Sequence, residues 1–226
     1  MTTTDVSEYN SDQHNSFLEI RKVLSGLSSP ALEHLRRSIE PYLRFREEVK
    51  AYQDRFFGAI CKKACFDTRL SACCSFESII TFFADQVVTA ITSTEDEVTR
   101  IIETTARPND TGKCVYLGEA GCIWKVPPVS CAMFLCDAAK QEGFAESPEA
   151  EPIWRELQEK EKEFTWPTKL VVFDALEDFF LHRGVRSRHM FFHTSPGLLR
   201  LKAKAGLKSR CADAGCEIEN SRRFAP

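Results

Sequence analysis

Ten cysteines are the feature that most constrains this 226-residue chain. Eight of them fall in two groups of four: Cys61, Cys65, Cys73 and Cys74, then Cys114, Cys122, Cys131 and Cys136. Four thiolates match the ligand demand of a tetrahedral Zn²⁺ site or of a [4Fe–4S] cluster. Thiolates are soft donors, so they select zinc, Cu(I) or iron–sulfur over Mg²⁺ or Ca²⁺. The vicinal pair Cys73-Cys74 adds a geometric point. Adjacent side chains in an extended segment point opposite ways. One can then serve one metal and its neighbour a second, or both can join one site through a strained turn. The spacing leaves both open.

The compartment decides how such thiols are read. The start, Met1-Thr-Thr-Thr-Asp-Val-Ser-Glu-Tyr-Asn10, is polar and acidic, without the basic and then apolar regions of a secretory signal. Apolar runs such as Leu170–Phe173 are a few residues long, far from the ~20 that span a bilayer. The expectation is a cytoplasmic protein with no membrane partner. There, structural disulfides are rare, and metal binding or catalysis is the usual reason for clustered cysteines. Buried free thiols and redox-active disulfides, with Cys61-x3-Cys65 near known dithiol spacings, are the competing readings. Cys211 and Cys216 sit apart in a polar tail and are not assigned to the clusters.

The rest of the chain reads as helical. Hydrophobic residues make up 43%, ample for a core, and disorder of the whole chain is excluded. Phe17, Ile20, Val23, Leu24 and Leu27 recur at helical spacing. Ser29-Pro30 reads as an N-cap followed by proline at the first helical position, for a run to about Glu40, and Pro41 starts or kinks the next, through Leu43, Val49, Tyr52 and Phe56. Phe76 to Ile91 reads as a buried helix, and Thr94-x-x-Glu97 is a capping box for another. Cys114-Val-Tyr-Leu and Cys122-Ile-Trp-Lys-Val flank a Gly118–Gly121 turn and predict a small hairpin. Further helices are expected from Ser147 to about Phe164 and from Pro167 to Arg183, with Gly184 as the stop. The predicted fold is mainly α: a single helical domain with an irregular, cysteine-rich, metal-stapled centre and a small β-hairpin. The expected organisation is a disordered lead-in over 1–14, a helical domain over 15–183 with its cysteine region at 58–137, and a basic C-terminal arm over 184–226.

The quoted cysteine pattern resembles the CxxCxxCC zinc- or iron-chelating family, the YkgJ-like cysteine-cluster proteins related to flagellin lysine N-methylase. Cys114 with Tyr116-Leu117, then Cys122-Ile123-Trp124, Pro128, Cys131 and Cys136, parallels the second half of that family's motif. The first cluster departs from it, being Cys-x3-Cys-x7-Cys-Cys. Pro127 and Ala132 stand where the family carries arginines. The resemblance covers about residues 58–137 and implies metal or iron–sulfur binding by the eight cysteines, without handing over a reaction.

Two other features bear on function. Between Leu181 and Arg210 there are eight Lys and Arg and no Asp or Glu, although the whole chain carries −3. Such a stretch, with Phe191-Phe192, His189 and His193 inside it, suits an anionic partner such as RNA, or docking on the acidic helix 149–163 of the same chain. His189-x3-His193 has the spacing of two ligands on one helical face, but Ser195-Pro196-Gly197 argues for a turn there. Trp124, Trp154 and Trp166 read as core or interface aromatics. Asp67, Glu77 and Asp85 lie near the cysteines and are candidates to support a metal site or to act as a base. No GxGxxG, GxxxxGK[ST], GxSxG or HExxH signature occurs. The leading expectation is therefore a metal-binding protein with a redox, sensing or structural role and an unidentified redox or protein partner. Free cysteine spacing favours an iron–sulfur cluster, with Zn²⁺ second, because zinc knuckles usually separate paired cysteines by two to four residues. A metal-dependent, N-methylase-like protein-modifying enzyme and an RNA- or protein-interaction module are the alternatives.

Overall fold

The computed structural model describes residues 3–75, 80–109 and 112–207. It opens with helix α1 (Thr3–Ser25) and a longer helix α2 (Ser29–Phe56). The described part of the lead-in, expected to be disordered, is instead helical, and Asn10 and Gln13 are buried. What holds it is a polar contact set that no local pattern announces. The Gln13 amide oxygen accepts from Gln86 Nε2 (2.8 Å) and from the Tyr116 hydroxyl (2.9 Å). Its amide nitrogen donates to Thr81 and lies 2.9 Å from His189 Nε2. An interior side chain with every lone pair and proton engaged stabilises the burial of its helix.

Helix α2 begins with its N-cap at Ser28, whose hydroxyl accepts from the Ala31 amide (3.4 Å), and carries Pro30 in its first turn. It then runs unbroken through Pro41, where the sequence predicts a kink or a new start. Proline removes one N–H and crowds the carbonyl four residues back. Both Arg37 and Pro41 are exposed, so water can satisfy the freed carbonyl. The buried stripe of Leu35, Ile39, Tyr42, Phe45, Val49 and Tyr52 continues on both sides of Pro41, so packing favours one helix.

After α2 come the single turn α3 (Gly58–Cys61), a π-helical turn (Lys62–Phe66) and a 3₁₀ turn (Ala72–Cys74). Helices α4 (Phe83–Thr92) and α5 (Glu95–Thr105) follow. The expected helix at 76–91 is thus shorter at its start, with 76–79 outside the described residues. The capping box at α5 is present: Thr94 Oγ1 accepts from the Glu97 amide and Glu97 from the Thr94 amide. The hairpin is β1 (Leu117–Gly118) with β2 (Gly121–Cys122), antiparallel, with Leu117 opposite Cys122. Gly121 sits at φ +109, a conformation that favours glycine.

The remaining elements are α6 (Val129–Ala132), α7 (Asp137–Glu146), α8 (Ala150–Thr165), α9 (Val172–Leu181), α10 (Phe191–Thr194) and α11 (Pro196–Lys204). The structure is mainly helical with one small two-stranded hairpin, as the sequence predicts. Helix α1 packs on α4 and α5, α4 on α9, and α8 against α2 and α9. One hydrophobic core joins them, with Phe17, Ile20, Tyr42, Phe45, Phe83, Ile101, Tyr116, Phe173, Phe180 and Phe192 all fully buried. Each such large side chain contributes about 1.5–3 kcal/mol relative to exposure. None of the eight clustered cysteines belongs to the buried core. Among the described residues no helix is long and apolar enough to cross a membrane.

The described part of the basic arm is docked, and on different acidic groups from those expected. Arg188 pairs with Glu8 and Asp12 of α1, and Lys202 is buried against Asp174 of α9 (2.8 Å). Helix α8, the acidic segment expected to receive the arm, turns instead toward α2, with Lys160 paired to Glu48. Residues 208–226, with Cys211 and Cys216, lie outside the described residues.

Candidate metal centre

The first cysteine segment folds back on itself. Cys61 ends α3, and Cys65 lies one turn on in the π-helical turn, where the Asp67 amide reaches back to Lys62 O (2.8 Å). The chain then reverses through Arg69 (φ 57) and Ser71 (φ 39), two non-glycine residues in the left-handed region. Such conformations cost energy and persist only where surroundings impose them. The reversal directs the Ala72 amide at Cys65 Sγ (3.1 Å) and brings Cys73 beside Cys65.

The second segment comes up against the first. The Cys114 amide donates to Cys74 O (2.8 Å), Ser75 bridges to Lys113, and Lys113 Nζ donates to Leu70 O (2.6 Å). The hairpin then carries Cys122. Behind it Trp124 is buried, edge-on to Phe17 (5.2 Å) and to Tyr116 (5.0 Å), which fixes the strand to the core. Cys131 lies in α6, which is held by side chains of two other elements and by its own Ser130. Asp85 accepts from the Val129 amide (3.0 Å), Ser130 donates to Ile80 O, and Gln53 donates to Ala132 O. Cys136 is the N-cap of α7, its sulfur accepting from the Ala139 amide (3.5 Å), and α7 packs on α3.

Electrostatics report the resulting neighbours. Partial burial pushes the Cys61 thiol up, and Cys73, Cys136 and Cys65 add to it. Cys73 is raised by the hydrogen bond it shares with Cys74 and by burial, and the same bond lowers Cys74, against burial and the nearby Cys114, Cys122 and Cys131. Cys114 is pushed up to about 12 by burial, with Cys122 and Cys131 contributing, while backbone amides of Tyr116 and Leu117 act the other way. Burial likewise raises Cys122, offset by the Trp124 amide. Cys131 reaches about 11 through burial, Cys122 and Asp85. The Cys114–Cys74 backbone bond and the packing of α7 on α3 bring the two sequence groups together, and none of the eight thiols is fully buried. Backbone N–H groups reach the sulfurs of Cys65, from Ala72 (3.1 Å), and of Cys136, from Ala139 (3.5 Å). Such donors stabilise negative charge on sulfur. Exposed Phe66, Leu70, Ile80 and Phe134 belong to the same stretches of chain.

Among the described residues no three Cys, His, Asp or Glu side chains stand close enough together to hold a metal ion. The donor set itself fits a soft metal: eight thiols with no histidine among them. The histidine pair of the sequence does not form a ligand face. His189 is held by Gln13, and His193 lies in a separate buried cluster, 3.0 Å from Glu177 and 3.4 Å from Asp174.

Of the acidic candidates, Asp67 pairs with Lys62 and Glu77 is outside the described residues. Asp85 is fully engaged, accepting from the Phe82 and Val129 amides and from the Tyr42 hydroxyl (3.3 Å), which in turn accepts from Arg46 (2.9 Å). Burial pushes its carboxyl up to about 6, against the pull of Arg46. It positions the turn that carries Cys131. Tyr42 and Arg46 complete the polar layer around Asp85, and Tyr9 and Gln13 meet at Thr81. Nothing in their spacing singles them out, because the layer is assembled from separate helices.

No family model, curated protein or solved structure matches this chain.

Proposed function

We propose that this protein binds a metal centre through Cys61, Cys65, Cys73, Cys74, Cys114, Cys122, Cys131 and Cys136, as an iron–sulfur protein in the first instance and a zinc protein in the second. The observation that carries this reading is the meeting of two cysteine groups, remote in sequence, through the Cys114–Cys74 backbone bond and the packing of α7 on α3, with backbone amides on the sulfurs of Cys65 and Cys136. An iron–sulfur centre would supply one-electron transfer or redox sensing, with its potential tuned by such N–H···S contacts. The chain's own residues order the donors: Asp85 sets the Cys131 turn, Trp124 anchors the Cys122 strand, and α7 presents Cys136.

A redox or sensing role is favoured over a purely structural one because, of the eight cysteines, only Cys114 packs against the hydrophobic core. A reducing compartment such as the cytoplasm keeps the thiols available. The resemblance to YkgJ-like proteins points the same way and rests on the cysteine motif alone. The basic arm is a weaker basis for function, since Arg188 and Lys202 already have acidic partners within the chain.

The test is anaerobic purification of the full chain, followed by visible absorbance with iron, zinc and acid-labile sulfide measured per chain. A brown protein with iron and sulfide is expected, and stoichiometric zinc would support the second form of the reading. A chain that carries neither, and takes up neither on reconstitution, overturns it.

A further inference from the structure

We propose that the eight thiols form two four-cysteine sites whose membership crosses the sequence groups: Cys61, Cys65, Cys73 and Cys136 in one, and Cys74, Cys114, Cys122 and Cys131 in the other. This rests on the metal-binding reading above and specifies its ligand sets.

The packing carries the division. Cys61 and Cys65 follow one another along α3 and its π-helical continuation. The Ala72 amide on Cys65 Sγ places the next residue, Cys73, at that sulfur. Cys136 belongs to the same end because it caps α7, and α7 lies on α3. A close approach enforces this contact, since Gly143 of α7 leaves no room for a side chain against the Phe57 ring that precedes α3. On the other side, the Cys74 carbonyl holds the Cys114 amide. Leu117 pairs with Cys122 across the hairpin, and the Leu117 amide reaches Cys114 O, so Cys114 and Cys122 share one end of it. Cys131 follows Cys122 by nine residues, in α6, and the stretch between them is held to α4 through Thr89 and Asp85.

The vicinal pair thus belongs to both sites, one cysteine to each, and is the covalent link between them. Closing the first quartet on an ion requires movement of the 62–75 segment, and closing the second also requires the Cys114–Cys131 stretch to shift, since no three of the described ligand side chains stand at metal-binding distance. The 62–75 segment can move at low cost, because none of its side chains belongs to the buried core. Metal binding and ordering of the segment are then one process.

Double substitutions separate this division from grouping by sequence order. Apo-protein of the full chain is titrated with Co²⁺, reading the sulfur-to-cobalt charge-transfer band and cobalt bound per chain. A parallel set carries Cys211→Ser and Cys216→Ser. Far-UV circular dichroism checks that each variant keeps its helices. Wild type is expected to take up two equivalents. Cys61→Ser with Cys136→Ser removes two ligands of one site and leaves the other whole, so one four-thiolate equivalent of unchanged affinity remains. Cys73→Ser with Cys136→Ser behaves the same way. Cys131→Ser with Cys136→Ser, or Cys74→Ser with Cys136→Ser, damages both sites and leaves no four-thiolate signal. The reverse, an intact site in Cys131→Ser/Cys136→Ser and none in Cys61→Ser/Cys136→Ser, overturns the crossed division and leaves metal binding standing. A single equivalent in wild type also overturns it. No cobalt uptake by wild type, together with no iron or zinc, sinks the metal-binding reading itself.

Discussion

Gly143→Ala sets two opposite effects against each other at the contact that joins Cys61 to Cys136. Gly143 is buried within α7, where alanine would ordinarily stabilise the helix by about 1 kcal/mol. Here a Cβ would stand 2.5 Å from Phe57 Cε1, 3.0 Å from Cδ1 and 3.1 Å from Cζ. Comfortable carbon contacts lie near ~3.5–4.0 Å, so the ring must retreat by roughly 1 Å. It has little space to do so. Phe57 is 1% exposed and bounded by Tyr52 and Phe144, with ring centres 5.7 Å away in each case. Overpacking of this kind costs about 1–3 kcal/mol, and a rigid ring belongs in the upper part of that range. The expected net loss is about 1–2 kcal/mol, or roughly 2–8 °C in Tm for a chain of this size. Urea and thermal unfolding followed by circular dichroism measure it. Phe57→Leu in the Gly143→Ala background should recover part of the loss, because the smaller side chain yields. If Gly143→Ala alone is more stable than wild type by about 1 kcal/mol, helix propensity is winning and the α3–α7 contact is not close.

Lys202→Met should cost about 3–5 kcal/mol, because it strips the buried Asp174 carboxylate of its cation. A urea midpoint equal to wild type would show that the docked C-terminal segment does not depend on this ion pair. Stability should also fall on acidification through the His189 window. Burial holds this imidazole down to about 4, with Arg188 lowering it and Asp12 opposing, and Tyr9 packs edge-on to the ring. The unfolded chain, near pH 6.5, binds the proton first. The stabilising contribution is thus complete above about pH 6.5 and is lost as pH falls toward 4, by about 3 kcal/mol at most. His189→Gln should flatten that part of the stability–pH curve, and an unchanged slope would remove His189 as its source.

Legibility in the sequence followed the range of the interaction. The α2 start, the Thr94–Glu97 box, the turn at Gly121 and the stop at Gly184 (φ 81) were readable because each is decided within a few residues. The helical run from Ser16 was readable for the same reason, since one apolar face repeats at helical spacing. The extension of α1 back to Thr3 was not, because Gln13 is buried by residues 81, 86, 116 and 189, and no short window contains them. Pro41 shows the converse: a strong local breaker overruled by a core stripe that runs past it.

The cysteines divide along the same line. By itself the sequence determined that eight thiols occupy two compact segments, that a hairpin separates two of them, and that Cys73 and Cys74 must be neighbours. Which thiols stand together was decided only by tertiary structure. Cys136 lies beside Cys61 because α7 packs on α3, and Cys74 lies beside Cys114 because one backbone hydrogen bond joins their segments. Chain spacing sets the cost of closing a loop, but packing between helices chooses which loops close.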